Sequence, residues 1–150
     1  MLTSADEREI VNLLFRYAEL VDAGDFDGVS ALFDGAEVFM GGPDLPAVPG
    51  SAVGKVMQKF VLVYDGVPHT KHVVTNTIVE ADDATHASTR SYFTVTQCVP
   101  GRFPLQMVAS GRYHDRFEKS DRWRFVRRTM LVDHHGDTSH HLRATVGETS

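Results

Sequence analysis

The hydrophobic period of this chain changes once, and that change limits what the chain can fold into. Up to Tyr64 the apolar residues recur every three or four positions; after Pro68 they alternate. A period of about 3.6 marks helices and a period of 2 marks half-buried strands. Helices followed by a run of long strands predict an α+β domain, with a curved antiparallel or mixed sheet wrapped around N-terminal helices in the shape of a cone. A cone of that kind has an apolar interior, which suits a small-molecule site.

The stretch "TSADEREIVNLLFRYAELVDAGD" predicts the first helix, opening on a capping box of Ser4 and Glu7 and closing at Gly24. A short helix over Asp27–Phe33 and a strand over Ala36–Met40 follow. "GGPDLPAVPG" reads as a rim loop, and Ser51–Tyr64 as a third helix. Four strands are expected at His72–Glu80, Ala84–Cys98, Leu105–Glu118 and Arg122–His134, separated by turns at "EADDAT", "VPGRFP" and "EKSDR". One domain spans residues 1–135, and residues 136–150 read as a polar, flexible tail.

With 150 residues, 42% hydrophobic and 23% charged, the chain has the composition and length for a sizeable core. Its net charge of −5 argues against a nucleic-acid partner, which needs a basic face. The one dense basic run, "RWRFVRR", alternates with Trp123, Phe125 and Val126 and reads as a strand. The acidic N-terminus lacks the apolar stretch of a signal peptide, and no apolar run is long enough for a membrane span. A soluble cytoplasmic protein is the expectation. Cys98 is the only cysteine, so no disulfide framework or cysteine zinc site is expected, and it reads as packed. "HTKH" (His69, His72) and "HHGDTSHH" (His134, His135, His140, His141) invite a metal reading, but the second lies in the tail, where adventitious binding is expected. Asp25 and Asp27 lack the glutamate that closes a calcium loop and read as helix caps. No metal and no cofactor is predicted.

Four residues carry chemistry. Counting about 100° per residue along the first helix, Ile10, Leu14, Tyr17, Ala18 and Val21 form one stripe, and Asp22 sits at its edge, half turned to the core. His72 opens a strand on the face it shares with Val74, Asn76 and Ile78. On the last strand Arg124, Val126, Arg128, Met130 and Val132 share one face, and Trp123, Phe125, Arg127, Thr129 and Leu131 the other. Each has a plain structural reading when taken alone: a satisfied core or rim histidine, a surface arginine, a solvated helix-end acid, a core tyrosine. Together they are the equipment for proton abstraction beside a carbonyl, or for β-elimination. An Asp holds a His in the right tautomer, and a Tyr and an Arg stabilise an oxyanion or help a leaving group depart.

The blocks "LLFRYAELVDAGDFDGVSALF", "KHVVTN", "SYFTVT" and "GRYHDRFEKSDRWRFVRR" resemble the SnoaL-like branch of the NTF2-like superfamily across about residues 5–133. The nearest patterns are those of scytalone dehydratase, hexachlorocyclohexane dehydrochlorinase and bile acid 7α-dehydratase. The resemblance implies a cystatin-like α+β cone with the pocket inside, assembled as a homodimer or homotrimer. It implies an Asp–His dyad at Asp22 and His72, a tyrosine at Tyr17 as in the bile acid enzyme, and an arginine at Arg128. Arg128 would hold an acidic group or pair with Asp22. The expected pocket walls are Phe15, Phe39, Met57, Phe60, Tyr92, Met107 and Met130. Scytalone dehydratase has a second histidine on a later strand. His114 is the nearest candidate here, but Gly111, Tyr113 and Phe117 share the opposite face, so that role is not transferred. The function implied is a cofactor-independent lyase (dehydratase) or isomerase acting on a hydrophobic cyclic, steroid- or polyketide-like molecule. The alternatives are a polyketide cyclase and a non-catalytic ligand-binding or small-subunit domain, like the β-subunits of ring-hydroxylating dioxygenases.

Overall fold

The computed structural model describes residues 1–143. Helix α1 (Ser4–Asp22) is followed by α2 (Phe26–Leu32), the short strands β1 (Glu37–Phe39) and β2 (Val48–Pro49), a single 3-10 turn, and α3 (Val53–Phe60). Four long strands complete the chain: β3 (Thr70–Ala81), β4 (His86–Val99), β5 (Phe103–Lys119) and β6 (Trp123–His135). They form one mixed sheet in the order β2-β1-β6-β5-β4-β3, in which only β1 and β6 run parallel. The α+β class and the curved sheet are as the sequence implies. The sheet does not close on itself: β2 and β3 are its edges, and α1 packs across it against β3 and β6.

Helix α1 starts one residue earlier than its sequence suggests. Thr3, not Ser4, is the N-cap, and its capping box is with Asp6, whose carboxylate takes the Thr3 backbone N–H at 2.9 Å. Asp6 caps the helix through Oδ2 and anchors the far hairpin through Oδ1. It accepts from Lys119 Nζ at 2.7 Å and from Trp123 Nε1 at 2.9 Å. These charge-assisted bonds hold its carboxyl well below the usual range, with Lys119 the main cause. At the other end, Gly24 adopts φ +72°, and a Cβ there would lie 2.1 Å from the Gly66 carbonyl oxygen. That close approach presses the end of α1 onto the turn that feeds β3.

Two β-bulges reverse the inward face partway along a strand, and neither is visible in the alternation. On β3 the pairing with β4 slips between Thr75 and Ile78, where Asn76 has φ +53°. His72 and Val74 face inward before the slip; beyond it Val79 packs on the core and Ile78 is exposed. On β6 the slip falls between Phe125 and Arg127. Trp123 and Phe125 face inward before it, Arg128 and Met130 after it, so the expected grouping of Arg128 with Arg124 and Val126 is corrected.

The third helix ends at Phe60, four residues before the expected Tyr64, because Val61 turns extended and bridges Leu142. Residues 136–143 are not a loose tail. The backbone N–H of Leu62 donates to His141 O at 2.8 Å, and the Arg143 N–H to Phe60 O at 2.8 Å. Tyr64 Oη and Gln97 Nε2 both donate to His140 O, at 2.7 and 2.8 Å. The remainder of the expected tail, residues 144–150, lies outside the described residues. No helix among the described residues is long and apolar enough to cross a membrane.

Candidate active site

The end of α1 and the start of β3 bring Asp22 and His72 together. Asp22 Oδ1 lies 2.6 Å from His72 Nδ1 and accepts from Thr70 Oγ1 at 2.8 Å, while Oδ2 accepts from the His72 backbone N–H at 2.9 Å. Both side chains are about nine-tenths buried. Burial pushes the Asp22 carboxyl up, but the hydrogen bonds and charge of His72 and the Thr70 hydroxyl outweigh it, and the net shift is downward. The carboxylate also sits at the C-terminal end of a helix, where the dipole disfavours it; three donors offset that. An ionised carboxylate offers only acceptors, so His72 Nδ1 is the donor in this contact, and Nε2 is the ring nitrogen left for other partners.

The His72 ring stands between two concavities. Asp22 opens onto an outer recess together with Phe15, Glu19 and Lys71. His72 also lines a second cavity of about 410 Å³, within the range of small-molecule sites. Tyr17 and Val21 of α1, Val56, Met57 and Phe60 of α3, and Met130 of β6 wall this cavity. Phe93 and Val95 of β4, Ala109 and Tyr113 of β5, and Thr138, His141 and Leu142 of the final segment also line it, with His135 at the end of β6. Among the expected walls, Met57, Phe60 and Met130 are there. Four are not. Phe15 lies in the outer recess and Phe39 stacks outside under Arg127, next to the inward Val38. Tyr92, 53% exposed, alternates outward beside the inward Ser91 and Phe93. Met107, 60% exposed, is turned out by a slip in the β4–β5 pairing that puts Val108 inside.

Tyr17 borders the dyad, its ring 6.3 Å from that of His72 and 5.9 Å from that of Tyr113, edge-on to both. Burial pushes its phenol up to about 12, with Arg128 and Tyr113 pulling the other way, so it remains a hydrogen-bond donor at any physiological pH.

Arg128 contacts neither Asp22 nor an open ligand space. It is fully buried, with Nε and Nη2 donating to Asp115 at 2.7 and 2.9 Å directly across the β5–β6 ladder. Its guanidinium stacks between aromatic rings, 3.8 Å from the centre of Tyr113 and 4.6 Å from that of Tyr17. The expectation that it meets Asp22 or a substrate acid is thus corrected: Arg128 underlies the two tyrosines instead. His114 is exposed on the outer face, as its alternation implies.

Sequence reasoning missed Thr70, Tyr113, Asp115 and His141. Thr70 shares a strand face with His72, and Tyr113 and Asp115 share one with Phe117, so alternation could have found them. Nothing local signals His141.

A family model for the SnoaL-like domain matches residues 3–129. The chain belongs to the SnoaL-like family. No curated protein matches it. Its fold recurs in solved structures. One is a candidate scytalone dehydratase from Novosphingobium aromaticivorans, 22% identical over 97% of this chain and 96% of that one, TM-score 0.67. Another is ActVI-ORFA from Streptomyces coelicolor, 17% identical over 87% and 99%, TM-score 0.70. A third is the β subunit of a candidate aromatic-ring-hydroxylating dioxygenase from Novosphingobium aromaticivorans, 14% identical over 93% and 97%, TM-score 0.68. At these identities the likeness is one of fold.

Proposed function

We propose that this protein is a cofactor-independent lyase or isomerase that removes a proton from a hydrophobic cyclic, steroid- or polyketide-like substrate. The observation that carries this is the 2.6 Å contact from Asp22 to His72 Nδ1 beside an apolar cavity of about 410 Å³. In this reading Nε2 takes a proton from a carbon next to a carbonyl, and Asp22 stabilises the imidazolium that forms. The electron pair moves onto the carbonyl oxygen, where the Tyr17 hydroxyl donates to it. In a dehydration the pair then expels a hydroxide on the adjacent carbon, and the imidazolium returns its proton to give water. In an isomerisation the proton goes back to a different carbon. The same dyad serves an aldol closure if a second carbonyl carbon receives the pair, which is the cyclase alternative. The role rests on Asp22, His72 and Tyr17, and Arg128 enters it only by supporting Tyr17.

The protein in this reading is a homodimer or homotrimer. Tyr92, Leu105 and Met107, more than half exposed on the outer face of the sheet, support that, and equilibrium sedimentation tests it.

The test of the activity is a panel of polycyclic hydroxyketones followed by mass spectrometry for loss of water or by absorbance for double-bond migration. Conversion by the wild type, and its loss in a His72→Ala variant that circular dichroism shows to be folded, supports the reading. Conversion at wild-type rate in that variant refutes the mechanism. A large partner protein co-purifying in fixed ratio, with no conversion of any panel member, favours the subunit alternative.

A further inference from the structure

His141 is one of the polar residues in the cavity wall that the reaction above leaves unused, with Tyr113, His135 and Thr138. It enters from the segment after β6, and its ring centre lies 6.4 Å from that of His72, the planes inclined at 66°. The residue is only 8% exposed. Its Nδ1 is fully buried and has no hydrogen-bond partner among the described residues. A buried polar atom without a partner carries a desolvation cost that a leucine or phenylalanine would avoid. Burial, with His72 nearby, holds its pKa down to about 4, so the ring is neutral and offers one N–H donor and one lone pair.

The backbone on either side is fixed. His140 O receives Tyr64 and Gln97, the His140 ring stacks on Phe103 at 4.4 Å, His141 O receives Leu62, and the Arg143 guanidinium donates to the Lys59 carbonyl at 2.9 Å. The imidazole is therefore held at the cavity by a clamp rather than swung in by a loose end. Pre-positioning of this kind lowers the ordering cost of a hydrogen bond to a ligand.

We propose that His141 is a ligand-contacting residue: it hydrogen-bonds an oxygen substituent of a ring compound lodged in the cavity whose wall it shares with His72, and so selects oxygenated rings over plain hydrocarbons. This rests on the reading of the cavity as a substrate site. His141 moves no proton in the reaction; it holds the oxygen that sets the ring's orientation before His72.

The experiment uses two fluorescent probes of nearly equal shape, β-naphthol and naphthalene, titrated into the full chain and into two variants. His141→Phe keeps a flat ring without nitrogens, and His141→Gln keeps a donor and an acceptor. Circular dichroism and melting confirm folding of each. The wild type is expected to bind β-naphthol more tightly than naphthalene by about tenfold, the size of one buried hydrogen bond. His141→Phe is expected to bring the two affinities together, and His141→Gln to keep most of the preference. A structural role would disturb both variants alike. A preference that survives in His141→Phe overturns the role of His141 and leaves the dyad reading standing. Equal binding of both probes by the wild type also overturns it. Failure of the wild type to bind either probe overturns it together with the reading of the cavity as a site for apolar rings.

Discussion

Asp22 holds His72 twice, once through the ring at 2.6 Å and once through the backbone N–H at 2.9 Å. The second contact fixes where β3 begins relative to the end of α1, so the ring contact does not depend on side-chain chance. Fold and site share one carboxylate.

Replacing Asp22 with Asn therefore acts on both. The carboxylate accepts from three donors, and an amide presents its NH₂ to at least one of them. A stability loss of about 1–3 kcal/mol is expected by urea unfolding. The pH dependence follows from the downward shift of the Asp22 carboxyl. A depressed folded-state pKa contributes stability above the unfolded value near 4, and that contribution disappears as pH falls through the folded value. The gap between wild type and Asp22→Asn is thus expected to be full at neutral pH and to close on acidification below about pH 4. A gap that stays constant with pH contradicts an ionised Asp22.

Tyr17→Phe removes one oxygen from the cavity wall and leaves the packing of the ring intact. Turnover of a panel substrate is expected to fall about 10²- to 10³-fold, the range for loss of one oxyanion donor. The melting temperature is expected to move little. Unchanged turnover excludes the hydroxyl from the reaction.

Arg128 is expected to matter for stability ahead of chemistry. Arg128→Met strands the buried Asp115 charge, and a loss of about 3–5 kcal/mol is expected. The double variant Arg128→Met, Asp115→Leu is expected to recover most of it, as read by denaturant unfolding. A single variant as stable as the wild type contradicts the buried pair at 2.7 and 2.9 Å.

Much of this was legible in the sequence, and the reasons for the rest are specific. The period switch after Pro68 set the class and the run of four long strands, and the place of Asp22 at the edge of the α1 stripe pointed to a partner inside. The bulge at Asn76 and the slip between Phe125 and Arg127 each add one residue to a strand. An alternation count carried through them assigns Ile78 and Arg128 to the wrong face. Tyr92 and Met107 looked like walls because they are large and apolar, but residue type does not fix the face when strand registers are unknown. The segment that carries His141 is polar and follows the last strand, so local pattern marks it as a tail. Its order comes from distant partners, Tyr64, Gln97 and Phe103, that no local window contains.

The most direct test of the dyad is hydrogen exchange at carbon. α-Tetralone in D₂O, incubated with the protein and sampled by mass spectrometry, reports proton abstraction beside a carbonyl without requiring a leaving group. The expected result is catalysed deuterium uptake by the wild type that falls about 10²- to 10⁴-fold in His72→Gln, the range for loss of a general base. Equal rates in wild type and variant, or no uptake above the buffer rate in either, would contradict a general base at His72.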